Sequence, residues 1–111
     1  MSSNCVFCLI VESKIPAEKV FETEDILVIK DINPKAPVHN LIIPKKHLED
    51  FRSFDSSHSN VMVDMLLATK ELSNMLGGKD FKLVVNNGYS AGQRVFHVHM
   101  HFLAGKDMPD F

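Results

Sequence analysis

No stretch of this sequence stays apolar long enough to cross a bilayer. The longest apolar run near the N-terminus, CVFCLIV at Cys5–Val11, falls far short of the roughly 20 residues that a membrane helix needs. No basic residue precedes it and no small-residue cleavage site follows it, so it does not read as a signal peptide. The default expectation is a cytoplasmic protein with no membrane partner. An excess of one charge is missing too. There are 12 Lys and Arg against 14 Asp and Glu, a formal net charge of −2. The basic residues are scattered apart from Lys45-Lys46, which gives no electrostatic case for nucleic acid or an anionic surface. An anionic substrate would have to be held by local donors rather than by a broad basic field. Cysteine is scarce: Cys5 and Cys8 are the whole complement. In a reducing compartment the C-x2-C spacing favours a metal or redox role over a structural disulfide. Internal repeats and low-complexity linkers are absent.

What is present suits one compact domain: 111 residues, 45% apolar and 23% charged. Residues 5–12 read as a short N-terminal helix, broken by Ser13–Pro16. Lys19–Thr23 and Asp25–Asp31 read as two strands with a tight turn between them. Asn33–Pro37 is a loop stiffened by two prolines, and His39–Pro44 is a third strand stopped by Pro44. His47–Phe54 predicts a short helix. A long helix follows, capped by Ser56, Ser57 or Ser59, with Val61, Met65, Ala68, Leu72 and Leu76 at helical spacing. Gly77-Gly78 ends it. Asp80–Asn87 predicts a fourth strand, Gly88–Gln93 a loop and Val95–Leu103 a fifth strand. Without a βαβ rhythm, this order points to an α+β domain with a mainly antiparallel sheet packed on a helix.

The most informative segment is VFHVHMHFLAG, Val95–Gly105. Side chains alternate along a strand, and residues two apart sit about 6.5–7 Å from one another. His97, His99 and His101 would then form one row, with Val98, Met100 and Phe102 facing the core. A merely solvated face would more often show Lys, Glu, Thr and Ser. A metal row lacks the carboxylates that often accompany such sites. Nucleophilic and acid–base chemistry fits, because imidazole titrates near neutral pH and one ring can attack while another donates a proton. The preceding loop supports it: Gly88, Ala91 and Gly92 let backbone approach a ligand and predict an N–H nest for an anion. Asn86 and Gln93 add neutral donors. His58, in a serine-rich stretch, is expected to be exposed.

These residues carry a family resemblance. HVHMHF followed by Leu103 is similar to the signature of the histidine-triad (HIT) superfamily. KDINPKAPVHNLIIPKKH (Lys30–His47) resembles the first nucleotide-contacting segment of its Hint branch, and VVNNGYSAGQRVFHVHMHFLAG (Val84–Gly105) resembles the second. The likeness covers roughly residues 5–105, and the ordered occurrence of both segments is far more specific than the histidine row alone. It implies a single HIT domain over 1–111, with a mainly antiparallel five-stranded sheet, one long helix and one short helix.

The resemblance also implies a function: a nucleotidyl hydrolase or transferase acting at the α-phosphorus of purine nucleotide phosphoramidates, of the AMP-amine type. Alternatives are a dinucleoside polyphosphate hydrolase, or a nucleotide- or zinc-binding regulatory module with little turnover. His99 matches the nucleophile, His101 the phosphate contact, and His39 the fourth histidine of a proton relay. Asp31, Ile32, Asn86 and Gln93 match the nucleotide pocket, where a carboxylate holds the ribose hydroxyls and an apolar neighbour lies against the base. Cys5, Cys8, His47 and His97 match a structural zinc site. Catalysis itself would require no cofactor. A purine nucleotide is the implied small-molecule partner and a homodimer the implied assembly. One position departs from the pattern. After Gln93 the family often carries a serine or another small polar residue that helps protonate the leaving group; here it is Arg94. A guanidinium is no acid at neutral pH. It would bind a phosphate or point to solvent, and it tilts the expectation toward more anionic leaving groups.

Overall fold

The computed structural model describes residues 4–106 and 108–110. A short helix α1, Val6–Val11, comes first. Strands β1 (Lys19–Glu22), β2 (Ile26–Lys30) and β3 (Val38–Pro44) follow. The long helix α2 covers Ser59–Met75, and β4 (Phe81–Val84) and β5 (Met100–Ala104) complete the fold. The five strands form one sheet in the order β1-β2-β3-β5-β4, antiparallel at every pairing. The expected α+β architecture is the one observed. Among the described residues no helix is long and apolar enough to cross a membrane.

Both faces of the sheet are covered, which explains why β2 and β3 read as apolar runs rather than alternating ones. On one face Ile26, Val28, Ile42, Met100 and Phe102 pack against Met65, Ala68 and Leu72 of α2. On the other, Leu27, Ile29, Leu41 and Ile43 pack against Phe7 and Ile10 of α1. The second layer is small, so α1 leaves the far end of that face open. The histidines of β3 and β5 lie there.

Local chemistry sets the element ends. Thr23 Oγ1 accepts the N–H groups of Asp25 and Ile26, closing the β1–β2 turn. Helix α2 ends as expected at its glycines. Gly77 and Gly78 take φ of 79° and 84°, and their N–H groups return to the carbonyls of Asn74 and Ser73, the paired bonds of a Schellman end. Its start differs from expectation. No serine caps α2; Asp55 caps a 3-10 turn, Ser56–His58, that leads into it, with His58 completing a capping box. His58 is therefore buried at 8% exposure rather than exposed, because its Nδ1 accepts the Asp55 N–H at 3.1 Å.

Two further expectations need correction. His47–Phe54 is not a helix. Only Phe51–Ser53 forms a 3-10 turn, because the Asp50 side chain accepts the Arg52 N–H and starts a turn in place of a helical ladder. The fifth strand begins at Met100, not Val95. The β3–β5 pairing ends at Ile42↔Met100, and β3 itself stops at Pro44, which has no N–H to donate. Instead Val98 N–H bonds to the Leu48 carbonyl at 2.7 Å. His101 sits in β5, while His97 and His99 lie on the bent segment before it; the His99 ring still neighbours that of His101, and Phe7 touches both His97 and His99.

Candidate active site and candidate metal centre

Strand register brings the first pair of functional side chains together. His39 pairs with Leu103, and Leu41 with His101. The two histidines are thus diagonal neighbours on the face that α1 only partly covers. His39 Nε2 lies 2.9 Å from His101 Nδ1 and 3.4 Å from Asp31 Oδ2. Asp31 also accepts the Asn33 N–H at 2.8 Å, and Lys35 N–H donates to His39 Nδ1 at 3.0 Å. With Val84 and Asn86 these residues line a cleft of about 200 Å³, which Pro109 and Asp110 close from the C-terminal side. Ile32, beside Asp31, is 91% exposed and available to a flat ligand.

His99 stands next to this pair. Its ring lies 5.3 Å from that of His101, nearly edge-on, and its other edge meets Phe7 at 5.0 Å. Its Nδ1 lies 2.8 Å from the carbonyl of His97. A carbonyl only accepts, so Nδ1 carries the proton and Nε2 keeps a lone pair. Burial pushes the His99 pKa below the ordinary imidazole value, against the opposing pull of that carbonyl and of Asp31. Burial likewise lowers His101, helped by His99 and His39, to about 4. It also lowers His39, with Asp31 opposing and Lys35 assisting. At neutral pH the three rings are uncharged.

The loop before this segment is arranged differently from the expected anion nest. The N–H groups of Ala91, Gly92 and Gln93 bond back to the carbonyls of Gly88 and Tyr89. Gln93 is 2% exposed. Its Oε1 accepts the Gly88 N–H at 2.7 Å, and its Nε2 donates to the carbonyls of Glu49 and Val95. Its amide ties three chain segments together and does not open toward the cleft. Asn86 lines the cleft while donating to the Ala91 carbonyl at 3.0 Å. Arg94 lies with its guanidinium 4.1 Å over the Tyr89 ring and donates to the carbonyls of Tyr89 and Gln93. It braces the loop.

A second cluster gathers at the other end of the bent segment. Cys5, Cys8, His47 and His97 bring one ligand atom each to within 4.8 Å of all the others. Cys5 Sγ is 3.3 Å from His97 Nδ1, Cys8 Sγ is 3.2 Å from His47 Nδ1, and the two Nδ1 atoms are 3.2 Å apart. A tetrahedron with zinc–sulfur bonds of about 2.3 Å and zinc–nitrogen bonds of about 2.0–2.1 Å has edges of roughly 3.3–3.8 Å. The cluster fits that figure, and two thiols with two imidazoles are a zinc donor set. His97 is also prepared as a ligand. Its Nε2 lies 2.7 Å from the Pro44 carbonyl, which places the proton on Nε2 and the lone pair on Nδ1. Burial lowers its pKa to about 4.

The structure therefore brings Asp31, His39 and His101 together at one cleft, with Asn86 on its wall, sets His99 beside His101, and gathers Cys5, Cys8, His47 and His97 at a separate centre. A backbone carbonyl holding the second nitrogen of the His99 ring is what the family resemblance implies, and His97 supplies it. The Lys35 peptide N–H and the Pro44 carbonyl were not legible beforehand, because they belong to the backbone and leave no residue-type signal. Phe7, which touches the rings of both His97 and His99, is visible in sequence only as an apolar helix position.

The family described as "Scavenger mRNA decapping enzyme C-term binding" matches residues 4–111. A HIT-like protein of Synechocystis sp. is 42% identical over 107 residues, covering 96% of this chain and 94% of that protein. A HIT family hydrolase from Clostridium thermocellum superposes with a TM-score of 0.92 at 41% identity, covering 100% of this chain and 98% of the other. A zinc-bound histidine triad family protein from Mycobacterium smegmatis superposes at 0.85 with 29% identity, over 96% and 78% of the two chains. With its histidine signature, its sheet and its whole length thus shared with these proteins, the chain belongs to the histidine-triad superfamily.

Proposed function

We propose that this protein is a nucleotidyl hydrolase or transferase that cleaves purine nucleotide phosphoramidates at the α-phosphorus. Hydrolases of the same family at 41% identity support the coarser reading. The finer one rests on His99. Its Nδ1–H is held by the His97 carbonyl at 2.8 Å, which leaves a neutral ring with an Nε2 lone pair beside a second, uncharged imidazole. In the first step Nε2 attacks phosphorus, and the bond from phosphorus to the leaving nitrogen breaks. The amine departs with the electron pair and takes up a proton from solvent. In the second step water attacks phosphorus and gives up a proton to solvent, the bond to Nε2 breaks, and a nucleoside monophosphate is released with the imidazole restored. Splitting the displacement in two lowers each barrier. His101 donates to the phosphoryl oxygens as their charge develops. Asp31 takes the ribose hydroxyls and Ile32 lies against the base.

Arg94 is held against Tyr89 and its own loop, so it gives no support to a preference for polyanionic leaving groups. A panel of adenylyl- and guanylyl-amines against dinucleoside polyphosphates tests the substrate class. The amines are expected to turn over faster by at least about tenfold; the reverse order contradicts this reading. His99→Ala is expected to lower kcat by on the order of 10³-fold or more while nucleotide binding persists. Unchanged turnover would contradict the nucleophile assignment, and a wild-type protein without measurable turnover would leave only a binding module.

The second centre would hold one structural Zn²⁺ through Cys5, Cys8, His47 and His97, tethering α1 to the segment that carries His99. Such an ion supplies folding energy rather than chemistry, since all four positions are filled by protein. Metal analysis of protein prepared without added zinc is expected to give one equivalent per chain. The proposed homodimer pairs the outer strand β4, whose Phe81 and Leu83 are each 37% exposed, with its copy, and brings together the exposed Val63 and Leu66 of α2. Leu83→Lys is expected to shift sedimentation to the monomer.

A further inference from the structure

The protons of the two coupled rings can be counted from the main chain outward. Lys35 N–H donates to His39 Nδ1 at 3.0 Å, so that nitrogen holds a lone pair. A neutral imidazole with its lone pair on Nδ1 carries its proton on Nε2. That nitrogen faces His101 Nδ1 at 2.9 Å. Two N–H groups cannot meet at that distance, so His101 Nδ1 accepts, and its own proton sits on Nε2. No described hydrogen bond occupies His101 Nε2, and the residue lines the cleft.

The donor at the head of this chain is held firmly. The loop from Asp31 to His39 is closed at its base by the Asp31 N–H on the His39 carbonyl at 3.0 Å. Asp31 Oδ1 accepts the Asn33 N–H, and Pro34 and Pro37 fix φ on either side of Lys35. Pro37 packs against Gly105 so closely that a Cβ there would lie 2.9 Å from its ring.

We propose that the peptide N–H of Lys35 sets the tautomer of the reaction centre: it holds His39 in the Nε2–H form, which holds His101 in the Nε2–H form. His101 is then a donor to the phosphoryl group and not a rival nucleophile to His99. Lys35 is a positioning residue in this scheme, acting through its backbone. The consequence for chemistry rests on the nucleophilic role proposed for His99; the tautomers themselves do not. Burial, which keeps both rings neutral, agrees with the scheme. A second proton on His39 would have to break the Lys35 bond.

Long-range ¹H–¹⁵N correlation spectra of ¹⁵N-histidine-labelled protein at about pH 7.5, above the ordinary imidazole pKa, read each tautomer directly. Both His39 and His101 are expected to show a protonated Nε2 and a bare Nδ1. A proton on Nδ1 of either ring overturns the proposal without any variant. Lys35→Ala keeps the N–H and is expected to retain both tautomers. Lys35→Pro removes the N–H. It is expected to give mixed tautomers at both rings and a fall in kcat of about tenfold or more, with a smaller change in KM. A folded Lys35→Pro protein with unchanged tautomers also overturns it. If the tautomers are as stated but His99 takes no nucleotide, the nucleophile assignment fails and the tautomer lock stands.

Discussion

At the scale of single residues, burial and backbone carbonyls do the tuning. His97, His99 and His101 are adjacent in sequence by twos, yet each ring meets a different partner: the cysteine cluster, the His97 carbonyl and His39. One result is a link between pH and stability. The His101 pKa falls from 6.5 to about 4 in the folded protein. Between those values the unfolded chain binds a proton that the native state refuses, so stability rises with pH across that window and is lost as pH falls through it. Denaturant titrations at a series of pH values check this. Wild type is expected to lose stability more steeply between about pH 6.5 and 4 than His101→Gln, which lacks the titrating ring. Equal slopes would contradict the shift. At this scale the sequence was partly readable. Gln93 was recognisable as a neutral amide near the loop, but only the fold shows that Gly88, Glu49 and Val95 occupy it. His58 stood among serines, and its burial depends on the turn it caps.

Whole elements were more legible than their contacts. The apolar spacing of Met65, Ala68 and Leu72 and the paired glycines defined α2, because helical period and a left-handed stop are local properties. β1, β2 and β3 were legible for the same reason. The segment 95–99 was misread as strand because alternation records only the chain's own period. It carries no trace of where pairing with the neighbouring strand ends, here at Ile42 and Met100, or of which distant thiols draw in His97. The loop from Asp31 to His39 illustrates how an element is held from outside. Gly105 has φ of 105° and touches Pro37. Gly105→Ala is expected to cost about 1–3 kcal/mol from backbone strain alone. It is also expected to lower kcat by displacing the loop that carries Lys35. Chemical denaturation and steady-state kinetics check both parts; a variant with wild-type stability and rate would contradict the packing described.

For the molecule as a whole, one sheet separates two layers of unequal thickness. The α2 layer buries a continuous core that includes Phe102 and Ile42, both at 0% exposure. The α1 layer is six residues of helix, too few to hold by apolar contact alone. A zinc ion shared by Cys5, Cys8, His47 and His97 would fasten that layer, and through Phe7 it would support the His99 ring. Chelation is expected to lower Tm by roughly 10 °C or more, and Cys8→Ser to lower it comparably and abolish the further effect of chelator. A Tm indifferent to chelator would show that packing alone secures α1.

The most direct test is mass spectrometry of the protein quenched during turnover of an adenylyl-amine. The account requires a transient adduct of one nucleoside monophosphate on His99, formed and lost at rates compatible with kcat and missing from His99→Ala. Turnover with no adduct, or an adduct on another residue, would contradict it.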